Sequence, residues 1–202
     1  MRPRPSADAD QSRLVVWRVI ETAGFESTWL DLRGMTLRAS GRVVGQTPRP
    51  YWLDYTLETD SKAATTRLAV DAEFSGGERH IDLRRDGGGW TVDGTPRPDL
   101  DAALDCDLGF SPLTNTMPVI RHGLHLGPGT REFTMAFVEV PTLRAIPMRQ
   151  TYRHLSSVPG GPRIRYSSGT FASDLLVGVD GIVVDYPQLG YRIDPQRTPP
   201  GA

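Results

Sequence analysis

The chain has 202 residues with 23 basic and 24 acidic side chains, and this length and near-zero net charge fit one large domain without a nucleic-acid-binding face. A single cysteine, Cys106, excludes an intrachain disulfide and fits a reducing compartment. Because no apolar run approaches the roughly eighteen residues of a transmembrane helix, and no apolar core of a secretory signal follows Met1 to Asp10, we expect a cytoplasmic protein.

The two ends differ in composition from the rest of the chain. Residues 1–12 are polar and contain proline, and residues 194–202 are rich in proline, arginine and glycine with little to bury. We expect disordered tails at both places. Nothing between them has the composition of a linker, which predicts a single β-domain at 13–193.

Alternation of apolar and polar residues is the dominant pattern along the chain. In 51–59, for example, Tyr51, Leu53, Tyr55 and Leu57 fall on one face and polar residues fall mostly on the other. A period of two predicts strands with one buried and one solvent-facing side, as in antiparallel sheets. The predicted strands, about eleven to thirteen in all, are 14–20, 27–32, 36–44, 51–59, 66–74, 79–85, 89–93, 131–140, 146–154, 162–168, 171–178 and 182–186.

Turn-forming residues separate these strands. Segments 60–62, 75–77 and 86–89 contain the aspartate, serine and glycine residues that are typical of short hairpin loops. Asp180-Gly181 lies between two apolar runs and predicts a two-residue hairpin turn in which both residues take positive φ. The sequence therefore predicts a meander of consecutive antiparallel strands.

One segment departs from the alternation. Ser111 is a good helix N-cap, and Pro112 suits the first helical position, where its missing N–H costs nothing. Pro118 disfavours a regular helix at the residue before it. We expect a short or kinked helix at 112–123 that lies across the sheet or its mouth.

The predicted fold class is mainly β: a single large curved antiparallel sheet, or barrel-like meander, with one short helix. A closed barrel of about eight strands fills with its own side chains, whereas a longer sheet leaves a lumen or splits into a sandwich. The inward positions carry leucine, valine, tyrosine and phenylalanine, so a lumen would be apolar. The strand pattern alone leaves an apolar hollow and a filled core both open.

Sequence motifs for phosphate loops and for the serine nucleophile elbow are absent. Cys106 fits a small buried hydrophobe better than a nucleophile, and no cofactor is predicted. His122 and His125 have the spacing of two metal ligands on one helix face, but Gly123 and Gly127 disfavour a helix and no third ligand is adjacent. We therefore predict no metal site.

Acidic residues are dense before the predicted helix. Asp105 and Asp107 would share one side of a strand, and paired carboxylates of this kind perform general acid–base chemistry in glycoside hydrolases. Carboxylates also bind sugar hydroxyls or pair with arginine, for which Arg121 is a candidate. A solvated strand edge or a structural network is favoured here over catalysis.

Two blocks of sequence give the chain a family resemblance: Asp105–Asn115, with the sequence DCDLGFSPLTN, and Asp180–Leu189, with DGIVVDYPQL. Weaker matches are Trp17, Glu26, Pro118–Arg121 and Gln150–Tyr152. This series spans roughly residues 14–193 and resembles the bacterial family described as putative glycolipid-binding proteins.

The resemblance implies a cytoplasmic domain with one strongly curved antiparallel sheet and a helix. That fold is similar to bacterial lipoprotein-carrier domains, which are secreted and hold acyl chains in an apolar hollow. Together with the strand count, the resemblance favours the hollow over the filled core. The residues then expected to contact an amphipathic ligand are Asp105, Asp107, Asn115, Arg121, Gln150, Tyr152 and Tyr186. The same residues could instead form a network that fastens the helix to the sheet.

The predicted function is non-enzymatic binding of a lipid or glycolipid in an apolar hollow, with no nucleic-acid partner. Two alternatives remain open. One is a hydrolase acting on a glycosyl or ester bond through the Asp105/Asp107 pair or through His122 and His125. The other is a structural or protein-interaction module with a filled core and an exposed apolar patch.

Overall fold

The computed structural model describes residues 12–87 and 89–194 of the chain. The predicted disordered tails lie outside the described residues, apart from Ser12 and Asp194, and so does residue 88 in the predicted 86–89 loop. The strands, in chain order, are β1 (Arg13–Val19), β2 (Gly24–Arg33), β3 (Thr36–Gly45), β4 (Tyr51–Thr59), β5 (Thr65–Phe74), β6 (Gly77–Asp86), β7 (Gly89–Val92), β8 (Thr95–Pro96), β9 (Ala103–Leu108), β10 (Thr130–Val138), β11 (Ala145–Val158), β12 (Gly161–Ser168), β13 (Phe171–Val177), β14 (Val183–Tyr186) and β15 (Gly190–Arg192).

These strands form one large curved sheet that is not closed by strand pairing. Its order is β8-β7-β6-β5-β4-β3-β2-β1-β15-β14-β13-β12-β11-β10-β9. Strands that follow one another in the chain are therefore paired, except β8 and β9, and β1 also pairs with β15. Every pairing is antiparallel except that of β9 with β10, which is parallel. The predicted curved, mainly antiparallel meander is confirmed.

The gap in the sheet lies between β8 and β9, and side chains bridge it. β9 packs against β5 and contacts Trp90 of β7 instead of pairing with β8. The backbone N–H of Cys106 donates to Oγ1 of Thr65 at 3.2 Å. The indole N–H of Trp90 donates to the carbonyl oxygen of Ala103 at 2.9 Å. The sheet therefore wraps into a barrel-like shape without a closing ladder.

The predicted alternation determines which side chains face the interior. On β4, Leu53, Tyr55 and Leu57 are buried, whereas Trp52 on the opposite face is 48% exposed. Each fully buried large apolar side chain contributes roughly 1.5–3 kcal/mol to the free energy of unfolding, which favours this register over one shifted by a residue.

Glycines on β3 make room for two tyrosine rings. Gly41 pairs with Tyr55 and Gly45 pairs with Tyr51. A β-carbon at Gly41 would lie 2.5 Å from the Tyr55 ring, and one at Gly45 would lie 2.5 Å from the Tyr51 ring. Both rings therefore lie across β3 and point toward β2, and this orientation determines the positions of their hydroxyl groups.

The helical segment lies inside the curve of the sheet, where every residue from Pro112 to Ile120 is buried. It consists of a 3-10 helix (Pro112–Asn115) followed by α1 (Thr116–Arg121). The start at Pro112 is as predicted, but the side chain of Ser111 does not cap the helix, because its hydroxyl bonds to Glu26. None of the helices among the described residues is long and apolar enough to cross a membrane.

The interior is largely filled by this segment. Leu113 and Met117 belong to the larger of two clusters of buried apolar side chains, and Val119 belongs to the smaller. The expected apolar lumen is therefore reduced to the cavity described below.

Two further details differ from the sequence predictions. The short strands β8 and β15 were not predicted. A strand containing Asp105 and Asp107 was expected, but it had no predicted bounds, and the structure gives it as β9. The β13–β14 hairpin is present, but its turn has three residues, because the N–H of Gly178 donates to the carbonyl of Ile182 at 2.8 Å. Of the Asp180-Gly181 pair only Gly181 takes positive φ, at 76°. A type I turn followed by one left-handed residue has this geometry.

Candidate functional site

Three carboxyl groups are buried around the helical segment, those of Glu26, Asp105 and Asp107. Glu26 lies on β2, and the two aspartates lie two residues apart on β9. Burying a carboxylate is costly unless hydrogen-bond donors or a cation meet it. Desolvation raises the pKa of all three groups. The hydrogen-bond donors and the cation that surround these groups determine the role of each one in the site.

Asp107 is the centre of a hydrogen-bonded network. Its Oδ1 accepts from the hydroxyl of Thr114 at 2.7 Å, and its Oδ2 accepts from the amide of Gln150 at 2.5 Å. The hydroxyl of Tyr152 lies 2.8 Å from Oδ1 of Asn115 and 3.2 Å from Oε1 of Gln150, so its single proton serves one of them. The network joins β9, β11 and the 3-10 helix.

Asp105 forms a separate ion pair with Arg121 at the end of α1. The same guanidinium donates to the carbonyl oxygen of Ala63 at 2.6 Å and to that of Lys62 at 3.2 Å. Arg121 therefore ties α1 to both β9 and the loop before β5. The pairing of Asp105 with arginine, one of the interpretations drawn from the sequence, is confirmed.

Glu26 forms a third group, although it was not among the predicted site residues. Its Oε1 accepts from the hydroxyl of Tyr55 at 2.5 Å and from that of Ser111 at 2.8 Å. Complete burial raises the pKa of Glu26 to about 7, and the two hydroxyl donors and the backbone N–H of Leu113 only partly oppose this rise. The Tyr55 ring reaches Glu26 because Gly41 leaves the surface of β3 open beneath it.

A cavity of about 520 Å³ opens at the end of the sheet formed by the loops after β1, β3 and β10. This volume lies within the range of roughly 300–1,000 Å³ that is typical of small-molecule sites. Its buried polar wall consists of Asp107, Ser111 and Asn115, which are at most 8% exposed. The Asp107 network therefore contacts the cavity directly.

Aromatic side chains form another wall of the cavity. Tyr166 and Tyr186 line it with their ring centroids 5.9 Å apart, and Phe171 lies 6.0 Å from Tyr166. Tyr152 extends this cluster behind the wall, 5.3 Å from Tyr166. Aromatic rings of this kind can pack against acyl chains or against the apolar faces of sugars.

Charged groups lie at the rim of the cavity. Glu21 and Arg49 are exposed there, and Glu139 is held by Arg144 at 2.8 Å. Including Asp107, the lining contains three carboxyl groups and one arginine. The lining therefore contains more acidic than basic side chains, and it is rich in hydrogen-bond acceptors.

Comparison with known families matches residues 14–192 to a family described as Putative glycolipid-binding. The chain belongs to this family. A search of proteins with curated functions finds no match to the chain.

Two solved structures resemble this family member. A DUF1089 family protein from Pseudomonas aeruginosa is 31% identical, with a TM-score of 0.71 over 96% of this chain and 100% of that one. A β-barrel-like protein of unknown function, DUF1849, from Brucella abortus is 11% identical, with a TM-score of 0.54 over 91% of this chain and 95% of that one. The second comparison supports the barrel-like fold alone.

The two blocks that carry the family resemblance meet at the cavity. The block Asp105–Asn115 supplies its polar wall, and the block Asp180–Leu189 supplies Tyr186 and Leu189. The two blocks are far apart in the sequence, and the placement of the helical segment inside the sheet brings them together.

The structure divides the predicted site residues into two groups. Asp107, Asn115 and Tyr186 line the cavity, and Gln150 and Tyr152 support the first two from behind. The remaining two predicted residues, Asp105 and Arg121, do not line the cavity. Their ion pair connects α1 to the sheet. Ser111 and Glu26 were missed as site residues, although both occur in the segments that carry the family resemblance.

The chemistry considered for catalysis does not assemble at the cavity. Asp105 and Asp107 belong to different networks, and only Asp107 lines the cavity. His122 follows the last residue of α1 and stacks on Phe133 at 5.0 Å, so it does not share a helix face with His125. No group of three or more metal-ligating side chains occurs in the described ranges 12–87 and 89–194.

Proposed function

We propose that this protein binds a neutral glycolipid in the cavity and performs no chemistry on it. The sugar headgroup contacts the buried polar wall, and the acyl chain follows the aromatic wall toward the mouth. The observation that carries the proposal is a built set of hydrogen-bond acceptors, Asp107 and Asn115, inside a cavity with apolar walls. We also propose a cytoplasmic location, based on the lone, buried Cys106.

The polar wall is suited to hydroxyl groups. Each oxygen of Asp107 accepts one hydrogen bond from the protein, whereas a carboxylate has about four acceptor positions. Oδ1 of Asn115 can likewise accept a second bond. Sugar hydroxyls supply donors for these positions.

The charge of the lining disfavours anionic headgroups. Phosphate and fatty-acid carboxylate groups need cations or N–H donors, and arginine is the usual partner. Arg49 is the one arginine of the lining and lies at the exposed rim, while Arg121 is engaged by Asp105 and two carbonyl groups. A phosphate beside Asp107 would meet a hydrogen-bond acceptor and not the cation or N–H donor that it needs.

The energetics permit reversible binding. Burial of an acyl chain contributes about 0.8 kcal/mol per CH₂ group, so a chain of about twelve carbons would contribute roughly 10 kcal/mol if it were fully buried. Association costs roughly 4–15 kcal/mol. Hydrogen bonds to the headgroup therefore decide both affinity and selectivity.

The proposal is tested with detergents that share a dodecyl chain. Dodecyl maltoside, dodecylphosphocholine and laurate, each below its critical micelle concentration, are compared by isothermal titration calorimetry and by the shift in melting temperature. We expect the maltoside to bind at least tenfold more tightly than laurate. Equal affinity for all three amphiphiles, or no binding of the maltoside, would refute the proposal.

A cavity-blocking variant provides a second test. Thr142 lines the cavity and is exposed, so Thr142→Trp obstructs the mouth without disturbing the core. Ser40→Trp adds the same side chain on the exposed face of β3, away from the cavity. Maltoside binding should be weakened in the first variant and retained in the second. Native mass spectrometry of protein purified from its own host should show a bound amphiphile in the wild type.

A further inference from the structure

Three buried polar atoms near the cavity have no hydrogen-bond partner among the described residues: Oγ1 of Thr22, the hydroxyl of Tyr51 and Oε2 of Glu26. The three residues are 0%, 5% and 0% exposed, respectively. Buried polar groups are nearly always paired in folded proteins, and an unpaired one lowers stability. Three such atoms in one region therefore need an explanation.

The structure places Thr22 beside the Tyr51 hydroxyl and Glu26 on the adjoining part of β2. The Tyr51 ring lies across Gly45, where a β-carbon would be 2.8 Å from the tyrosine hydroxyl. The residue after Gly45 donates its N–H to the carbonyl of Thr22 at 2.7 Å, which brings Thr22 beside this hydroxyl. Glu26 is two residues beyond Gly24, whose β-carbon would lie 3.0 Å from the α-carbon of Gly45.

The electrostatics agree with this proximity. Burial raises the pKa of Tyr51 to about 12, and the carboxylates of Glu26 and Glu21 add to the rise. The Thr22 hydroxyl opposes it, because this group lies close to the tyrosine oxygen although the two do not reach hydrogen-bonding geometry. The two hydroxyl groups thus lie together, and the Glu26 carboxyl group is close enough to act electrostatically on the Tyr51 hydroxyl.

The side chain of Phe110 lies between this region and the cavity. Phe110 lines the cavity, and its ring centroid is 6.5 Å from that of Tyr51. Ser111 also lines the cavity and bonds to Glu26. Phe110 has a φ of +65°, a conformation that residues with a β-carbon adopt rarely and that clusters at functional sites.

We propose that Thr22, Tyr51 and Glu26 form a second polar subsite, which binds a hydroxyl group of the ligand headgroup once the Phe110 side chain rotates aside. The inference rests on the proposed glycolipid binding and extends it. A hydroxyl group accepts from Tyr51 and donates to the free oxygen of Glu26, so one ligand group satisfies both. The headgroup then spans from Asp107 to Tyr51.

The test compares two tyrosines with different environments. Tyr51→Phe removes a hydroxyl without a partner, so the melting temperature of the ligand-free protein should stay the same or rise. Tyr55→Phe removes a hydroxyl that bonds to Glu26, so it should lower the melting temperature. Loss of one ligand hydrogen bond in Tyr51→Phe should weaken dodecyl maltoside binding by about tenfold.

A probe without sugar hydroxyls provides the ligand control. Octaethylene glycol dodecyl ether should bind the wild type and Tyr51→Phe equally. If Tyr51→Phe lowers the melting temperature as Tyr55→Phe does, or binds the maltoside as the wild type does, the subsite is refuted while glycolipid binding stands. If the wild type does not bind the maltoside, both proposals fall.

A crystal structure with dodecyl maltoside gives the direct view. A sugar oxygen within hydrogen-bonding distance of the Tyr51 hydroxyl would establish the subsite. A water molecule at that position, with the sugar confined to the cavity, would overturn it.

Discussion

Replacing Glu26 by glutamine removes one buried titrating group while keeping its shape. The pKa of Glu26 rises from 4.5 to about 7 on folding, so between these pH values the folded protein binds more protons than the unfolded chain. Stability must then fall as the pH rises through this window. A difference of about 2.5 in pKa, at 1.36 kcal/mol for each pKa unit, corresponds to about 3 kcal/mol.

The assay is urea unfolding of the wild type and Glu26→Gln at several pH values from 4.5 to 8. The stability of the wild type relative to the variant should decline by about 3 kcal/mol over this range and then level off. Other titrating groups contribute equally to both proteins and cancel in the difference. Glu58→Gln, which removes an exposed carboxyl group on β4, controls for the change in net charge.

Two results would contradict this reasoning. Parallel stability curves for the wild type and Glu26→Gln would mean that Glu26 has the same pKa in both states. A wild type that gains stability relative to the variant with rising pH would mean that the hydroxyl donors outweigh desolvation.

Three further predictions concern other buried groups. Arg121→Met leaves Asp105 buried without its cation and should lower the free energy of unfolding in urea by about 3–5 kcal/mol, whereas adding Asp105→Asn to that variant should restore part of the loss. Gly41→Ala places a β-carbon 2.5 Å from a packed tyrosine ring and should cost about 1–3 kcal/mol in thermal unfolding, whereas Gly127→Ala meets nothing within 4 Å and should be nearly neutral. Burial raises the pKa of the Cys106 thiol, so a chromogenic disulfide reagent at pH 8 should react with it only when the protein is unfolded, and rapid reaction of the native protein would contradict its burial.

The strands could be predicted from the sequence wherever one face meets the core and the other meets water. β4 is such a case, because Leu53 and Leu57 alternate with residues on the outer face. β9 is different, since most of its residues on both faces are buried, and a pattern of period two is lost. Its two aspartates can be buried because Arg121 forms an ion pair with one of them and Gln150 donates a hydrogen bond to the other.

The site was predicted in part for a similar reason. The motif containing Asp107 and Asn115 could be recognised in the sequence, but its relation to a cavity depends on how the 3-10 helix packs inside the sheet. Ser111 shows the limit of local rules: it has the sequence position of an N-cap, yet its hydroxyl donates to a carboxylate 85 residues earlier in the chain. The loop geometry that leaves the cavity open has no local sequence signal.

Long, exposed strand edges invite pairing with other chains and thus aggregation. In this sheet, one outer strand has only two residues and ends in Pro96, which lacks the N–H needed to extend the ladder. The other outer strand, β9, has its free side covered by Thr65 and Trp90. The two strands at the ends of the sheet are therefore poor templates for edge-to-edge pairing with a neighbouring molecule.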